Sequence, residues 1–381
     1  MVIHCHHSSS PVSGEMKRII NIDTDVAGYL SEEVVELEFY SIRNRQYVKK
    51  EGQFTLSNKV RKKHYVANIP RLGWLNDCFR TIIILSLFIR YKPQYYIEEW
   101  TLSRGIKLVK RLFGNCNFGL DIHGASPEEY EYLNGKESHL LSNQERYSVF
   151  AADYIICQSD EMKRHLERKY SDSLAIGVYR CGVDCSVFKM DDNDRRVIRA
   201  ELGYKDDDVV FVYSGGMHAW QKVEDSVRFF SKYHQVNDKA KLLVLTKDQE
   251  GFNNILDKIG ENRLKEYITI KSLGYKDVPK YLNASDVAFL LRDNHVMNAV
   301  ASPTKLSEYM ACGLPVISTR VSEKWLDEEG MKYIYDVERN DVNHLTSFMK
   351  DCKRDEIAEY AVRELSLERD REMIHSFIEK L

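Results

Sequence analysis

The stretch SPTKLSEYMACGLPVIST, Ser302 to Thr319, holds a helix start, a helix stop and a buried strand. Ser302 is placed to cap the helix, with Pro303 at its first position, where a missing amide costs nothing. Gly313 follows the last helical residue. LPVIST (314–319) then runs apolar without alternation, as a strand covered on both faces does. Leu306 and Met310 share the buried face, while Lys305 and Glu308, three apart, lie about one turn from each other on a neighbouring face. An anion at the amide-rich helix start would have a carboxylate ~5 Å further along the axis. Donors for a diphosphate and an acceptor for a ribose diol would then sit together. A surface ion pair between Lys305 and Glu308 explains the same residues, so the stretch alone leaves both readings open.

Outward from it, short apolar runs alternate with helical patterns, the signature of parallel sheets covered by helices. Strands are expected at 2–5, 34–40, 64–69, 95–99, 118–123 and 154–159, and again at 209–215, 240–246, 267–274, 287–292, 314–319 and weakly at 332–337. Helices fit at 75–91, 101–113, 143–151, 160–170 (with Asp160 as its cap), 222–234, 251–259, 277–284, 303–312, 322–329 and 354–380. The polar stretch 190–208 reads as a linker with a short helix. The fold class is therefore α/β, with two doubly wound, Rossmann-like halves.

Composition fits this. With 381 residues the chain is long enough for two cores, and 43% hydrophobic with 30% charged residues is a soluble globular profile. A formal net charge of −3 does not suggest nucleic-acid binding, and no nucleic-acid partner is expected. The eight cysteines are scattered without a CxxC pair, as in a reducing cytosol. No secretory signal is visible, and the longest apolar run, TIIILSLFI (81–89), is about half the roughly 20 residues a spanning helix needs. Cytoplasmic placement follows. Residues 41–113 nevertheless carry sixteen Lys/Arg against four Asp/Glu. They form either a solvated basic face beside a buried helix or a surface that docks on anionic lipid, which would put the protein at the inner face of a cell membrane.

In doubly wound sheets, ligands bind beyond the carboxyl ends of the strands. After 209–215 come Ser214, Gly215 and Gly216, which let backbone amides approach a ligand or simply make a turn, and Lys222, which brings positive charge. Arg292 ends strand 287–292. No GxGxxG or GxxxxGKS/T is present. Acidic DDD (206–208) precedes a strand at the opposite end, and HCHH (4–7) has poor ligand spacing, so no metal site is expected.

The order of several motifs resembles glycosyltransferase family 4, the GT-B "group 1" glycosyltransferases of bacterial surface-polysaccharide type. They are ADYIICQSDEMKRHLERKY, YRCGVDCSVF, VIRAELGYKDDDVVFVYSGG, ITIKSLGYKDVPKYLNASDVAFLLR, SPTKLSEYMACGLPVIST and ELSLERDREMIHSFIEKL, spread over most of the chain. The resemblance implies an acceptor-side domain (1–188), a nucleotide-sugar-binding domain (189–365) and a closing helix (366–381) returning to the first, with the two domains facing a cleft. It implies an enzyme that moves a sugar, with retention, from a nucleotide-diphosphate sugar to a glycan or lipid-linked acceptor. No cofactor and no metal would be required.

Carried over by motif, Glu308 would accept from the ribose hydroxyls, and Ser302, Thr304 and Lys305 at the helix start would hold diphosphate oxygens. Lys222 would neutralise the leaving phosphate. Gly274 and Tyr275 would lie near the base, His123 near the transferred sugar, and Gly14 (in PVSGEM) at the loop that approaches the phosphates. Two departures stand out. The family's E-x7-E pair would begin at 300, where this chain has Val300, and the usual loop arginine near Gly216 is missing, with Arg292 a candidate substitute. A catalytically impaired GT-B scaffold and a sugar-nucleotide epimerase of the same fold are therefore the alternatives to an active transferase.

Overall fold

The computed structural model describes residues 1–7, 14–30, 32–41, 60–68, 73–99, 105–180 and 182–381. The chain divides into two compact units, one of Met1–Cys181 with Asp370–Leu381, the other of Gly182–Arg369. The sequence-based boundary at 188/189 falls later because Val183 pairs with the far end of the second unit. Its N–H donates to Leu365 O (2.9 Å), its carbonyl accepts from Leu367 N–H (3.1 Å), and Phe188 is buried in that unit's core.

In the first unit the elements run β1 (Val2–His7), α1 (Gly14–Tyr29), β2 (Val34–Ser41), β3 (Val60–Asn68), α2 (Gly73–Tyr91), β4 (Tyr95–Glu99), α3 (Ile106–Leu112), β5 (Asn117–Ile122), α4 (Ser126–Asn134), α5 (His139–Ala151), β6 (Tyr154–Cys157), α6 (Asp160–Lys169) and β7 (Ile176–Val178). Its sheet has the order β3-β2-β1-β4-β5-β6-β7, and every pairing is parallel. Residues such as Ile3, Val35, Tyr96 and Phe118 are buried within it, which is why these strands read as continuous apolar runs.

The second unit begins with α7 (Asp192–Leu202), and β8 (Val209–Ser214), α8 (Val223–Val236), β9 (Ala240–Leu245), α9 (Gln249–Ile259), β10 (Ile268–Lys271), α10 (Val278–Asn283) and β11 (Val287–Leu290) follow. After these come α11 (Val296–Ala299), α12 (Thr304–Ala311), β12 (Val316–Ser318), α13 (Glu328–Met331), β13 (Ile334–Asp336), α14 (Leu345–Asp351) and α15 (Arg354–Glu364). The sheet order is β10-β9-β8-β11-β12-β13, again all parallel. The last helix, α16 (Leu367–Ile378), ends in the first unit, where Ile374 and Ile378 join a core with Val2, Ile22 and Val26.

Several local expectations are corrected. The polar stretch 190–208 does hold a helix, α7, which at eleven residues is longer than the short one expected; Asp191 caps it, its carboxylate accepting from the amides of Asn193 and Asp194 (both 2.9 Å). Ser159, not Asp160, caps α6 through the Met162 amide (3.0 Å), because Asp160 already lies in the first turn. Helix 322–329 shrinks to α13, and helix 354–380 breaks at Leu365–Ser366, where the backbone pairs with Val183. Helices α1 and α4 and strand β7 were not foreseen.

Candidate functional site

Past β8 the chain runs through Ser214, Gly215 and Gly216. Gly215 has φ +146, and a Cβ built on it would collide with Nζ of Lys305. Helix α12 thus delivers its lysine to the place a loop side chain would otherwise fill. The ammonium donates to Gln221 Oε1 (2.8 Å) and lies 5.1 Å from the Tyr213 ring centroid. The Tyr213 hydroxyl lies within hydrogen-bond reach of the same Gln221 oxygen and of Gly216 O, and its single proton serves one of the two acceptors at a time. Tyr309, fully buried beside Glu308, accepts the Ser214 N–H on its hydroxyl (2.9 Å). These bonds lock the end of β8, its loop and α12 together.

The second cation is Arg292, just past β11. Its N–H donates to Thr319 Oγ1 (3.0 Å) and its carbonyl accepts from that hydroxyl (2.8 Å), which ties the ends of β11 and β12. Burial of Lys305, reinforced by the charge of Arg292 and opposed by that of Glu308, lowers the lysine to about 7. Burial also lowers Arg292. Two cations that destabilise each other in a partly dehydrated site form a receptor that an anion relieves.

Helix α12 starts one residue later than expected. Pro303 is its N-cap, extended at ψ 115, and a proline has no side-chain group with which to cap the first turn. Ser302 is buried but is not the cap, because an extended Pro303 moves the helix start on to Thr304. Glu308 lies one turn along, half-buried. After burial itself, its charge is the next cause raising the Tyr275 hydroxyl. Tyr275 leans on Phe188 (centroids 5.2 Å apart), in a turn where Gly274 O accepts from Asp277 N–H (3.0 Å). Lys305, Arg292, Glu308 and Tyr275 are therefore brought together as the sequence suggested, with Ser214, Gly215 and Gly216 at their edge. Gln221, Tyr213 and Tyr309 are the additional members.

Lys222 stands in the left-handed region (φ +46) immediately before α8. Its ammonium pairs with Asp225 (2.9 Å) and Asp293 (3.6 Å), and the hydrogen bond to Asp225 is the largest cause raising its pKa. Val300 is buried at the end of α11, donating its amide to Val296 O (3.0 Å).

In the first unit His123 follows β5. Its Nε2 donates to Asp121 Oδ2 (2.6 Å), and its Nδ1 lies 3.8 Å from Glu99 Oε1. Burial alone would raise Asp121, but Arg18 (Nη2 to Oδ1, 2.7 Å) and His123 hold it well below the usual carboxylate range. Arg18 also donates to Tyr179 O. Gly14 is the first residue of α1, and the loop before it lies outside the described residues. Asp207 pairs with Lys239, Asp208 accepts the Lys205 amide (2.8 Å), and His4 contacts Asp23 (2.7 Å). Asp207, Asp208 and His4 thus have protein partners.

Two parallel, helix-covered sheets define a two-domain α/β GT-B fold. Residues 208–353 match the family described as Glycosyl transferases group 1. A curated relative, N-acetyl-alpha-D-glucosaminyl L-malate synthase of Bacillus anthracis, is 23% identical over 227 residues, or 59% of this chain. The match spans about half (53%) of that relative's length. Among solved structures, sucrose-phosphate synthase from Thermosynechococcus elongatus is similar with a TM-score of 0.75 at 15% identity, covering 100% of this chain and 98% of that one. Anabaena Alr3699/HepE in complex with UDP-glucose reaches a TM-score of 0.68 at 13% identity, covering 100% and 99%.

Proposed function

We propose that the protein transfers a sugar, with retention, from a nucleotide-diphosphate sugar to a glycan or lipid-linked acceptor in surface-polysaccharide synthesis. The observation that carries this reading is the placing on α12 of the Lys305 ammonium at the helix start and Glu308 one turn on, with the Tyr275 turn near Glu308. The cationic end suits a diphosphate and the Glu308 end a ribose diol. As the glycosidic bond breaks, negative charge grows on the diphosphate, so fixed amides, Lys305 and Arg292 stabilise the transition state more than the ground state. These groups let the leaving charge be met without a metal. Lys222, released from its aspartates, adds a further cation, and His123, oriented by Asp121, serves the transferred sugar. The proposed setting is cytoplasmic, against an anionic membrane surface that holds the acceptor.

The resemblance of the fold to a structure holding UDP-glucose supports a nucleotide-sugar donor. Hydrolysis and transfer assays over a panel of nucleotide sugars test the reading. Glu308→Ala should weaken nucleotide binding by about 10- to 100-fold, the cost of a lost charged hydrogen-bond acceptor. Donor binding that is unchanged in that variant would refute the assignment.

A further inference from the structure

Helix α2 is apolar on both sides, but only one side is covered. At about 100° per residue, Ile84, Leu87 and Phe88 fall on one arc, and all three are buried. The opposite arc, about 100° wide, holds Leu75, Cys78, Phe79, Ile82, Ser86 and Ile89, and every one of them is exposed. Exposure reaches 55% at Phe79, 63% at Ile82 and 68% at Ile89, with Trp74 at 67% beside them. The stripe runs roughly 21 Å along the helix. An apolar strip of this length is more than scattered surface hydrophobics, and it marks an interaction face.

Charge identifies its occupant. Arg90 and Lys92 close the carboxyl end of α2, both exposed. Helix α3 packs beside α2, with Gly105 so close to Thr81 that a Cβ would strike its hydroxyl. Helix α3 exposes Leu108 (50%) and Leu112 (59%) between the exposed Lys107 and Arg111. Lys110 is paired with Asp153 (2.5 Å), whereas Arg80, Arg90 and Lys107 lie against the rings of Phe39 (4.7 Å), Tyr91 (5.3 Å) and Tyr147 (4.4 Å), contacts that leave their charge unneutralised. Helix α3 has no acid, and the single acid of α2, Asp77, lies off the exposed arc. A second copy of this face would bring cations against cations, whereas an anionic bilayer supplies the missing countercharge. No helix among the described residues is long and apolar enough to cross a membrane.

We propose that α2 lies in the plane of an anionic lipid surface, with Phe79, Ile82 and Ile89 inserted at the acyl boundary and the basic residues of α2 and α3 at the headgroups. This rests on the membrane partner proposed above and assigns it to a face. Among the residues of α2 and α3, insertion supplies the grip and the cations supply the preference for anionic lipid.

The test is sedimentation of the full chain with vesicles of neutral phosphatidylcholine, with and without about 30% phosphatidylglycerol, at low and high salt. The expected result is binding to the anionic vesicles with a blue shift of Trp74 emission, absent in Trp74→Phe. The double variant Ile82→Gln/Ile89→Gln should bind at least tenfold more weakly. Lys107→Glu/Arg111→Glu should lose the anionic preference. Unchanged melting curves and donor hydrolysis without vesicles would show that fold and sugar chemistry persist, so failure here is distinct from failure of the transferase reading. Equal vesicle binding by the Ile82/Ile89 variant, or none by the wild type, overturns the proposal. So does a wild-type dimer that the variant dissolves without any lipid binding.

Discussion

Raising the pH should loosen donor binding through a single side chain. Burial, and after it the charge of Arg292, push Lys305 down to about 7. If only the ammonium form holds the diphosphate, the competent fraction is about half at pH 7 and about one hundredth at pH 9. The apparent Kd should then rise by about fiftyfold across that window. A nucleotide-diphosphate sugar is the right probe, since both its phosphates are diesters without an ionisation there. Calorimetric titrations at half-unit pH steps would trace the curve, with Lys305→Arg as the control that keeps its charge and should flatten it. The empty fold responds with the opposite sign. Unfolded Lys keeps its proton to about 10.5, so the stability cost of Lys305 is full below about pH 7 and fades as pH rises toward 10.5. A pH-independent wild type, or the same slope in Lys305→Arg, would refute the role given to this ammonium.

Three further outcomes follow from named contacts. Gly215→Ala combines a left-handed φ with a collision against Lys305 Nζ, so it should raise the donor KM at least tenfold and lower the Tm, seen in steady-state kinetics and melting. Gln221→Glu places a carboxylate against the same ammonium and should move the midpoint of the pH curve upward while leaving its depth intact. Asp121→Asn leaves buried Arg18 without its countercharge and should cost about 3–5 kcal/mol in denaturant unfolding.

The parallel strands were legible because burial on both faces leaves a continuous apolar run, and twelve runs were found. Strand β7, three residues of Ile-Gly-Val, is too short to stand out, and α4 (SPEEYEYLN) carries too few apolar positions to show a period. The break at Leu365–Ser366 is set by pairing with Val183, a contact almost two hundred residues away that no local pattern records. At the site, the helical spacing showed that Lys305 and Glu308 share a neighbourhood. It did not show where the lysine reaches.

Arg292 was the expected stand-in for the missing loop arginine. The structure instead puts the Lys305 ammonium where a side chain on Gly215 would stand, with Arg292 as its neighbour. Tyr213 and Tyr309 were not singled out, although a buried tyrosine hydroxyl needs a partner, and that need was the available signal.

The central claim is that α12 holds a nucleotide-diphosphate sugar through Lys305 and Glu308. A thermal-shift screen of nucleotide sugars against the wild type, Lys305→Gln and Glu308→Ala tests it most directly. At a ligand concentration of 100 Kd a true donor adds about 2.7 kcal/mol to the folded state, and the roughly 10- to 100-fold weaker binding expected of Glu308→Ala cuts this to about 0.4–1.4 kcal/mol, with a comparable drop in Lys305→Gln. A shift of equal size in all three proteins, or in none, would contradict it.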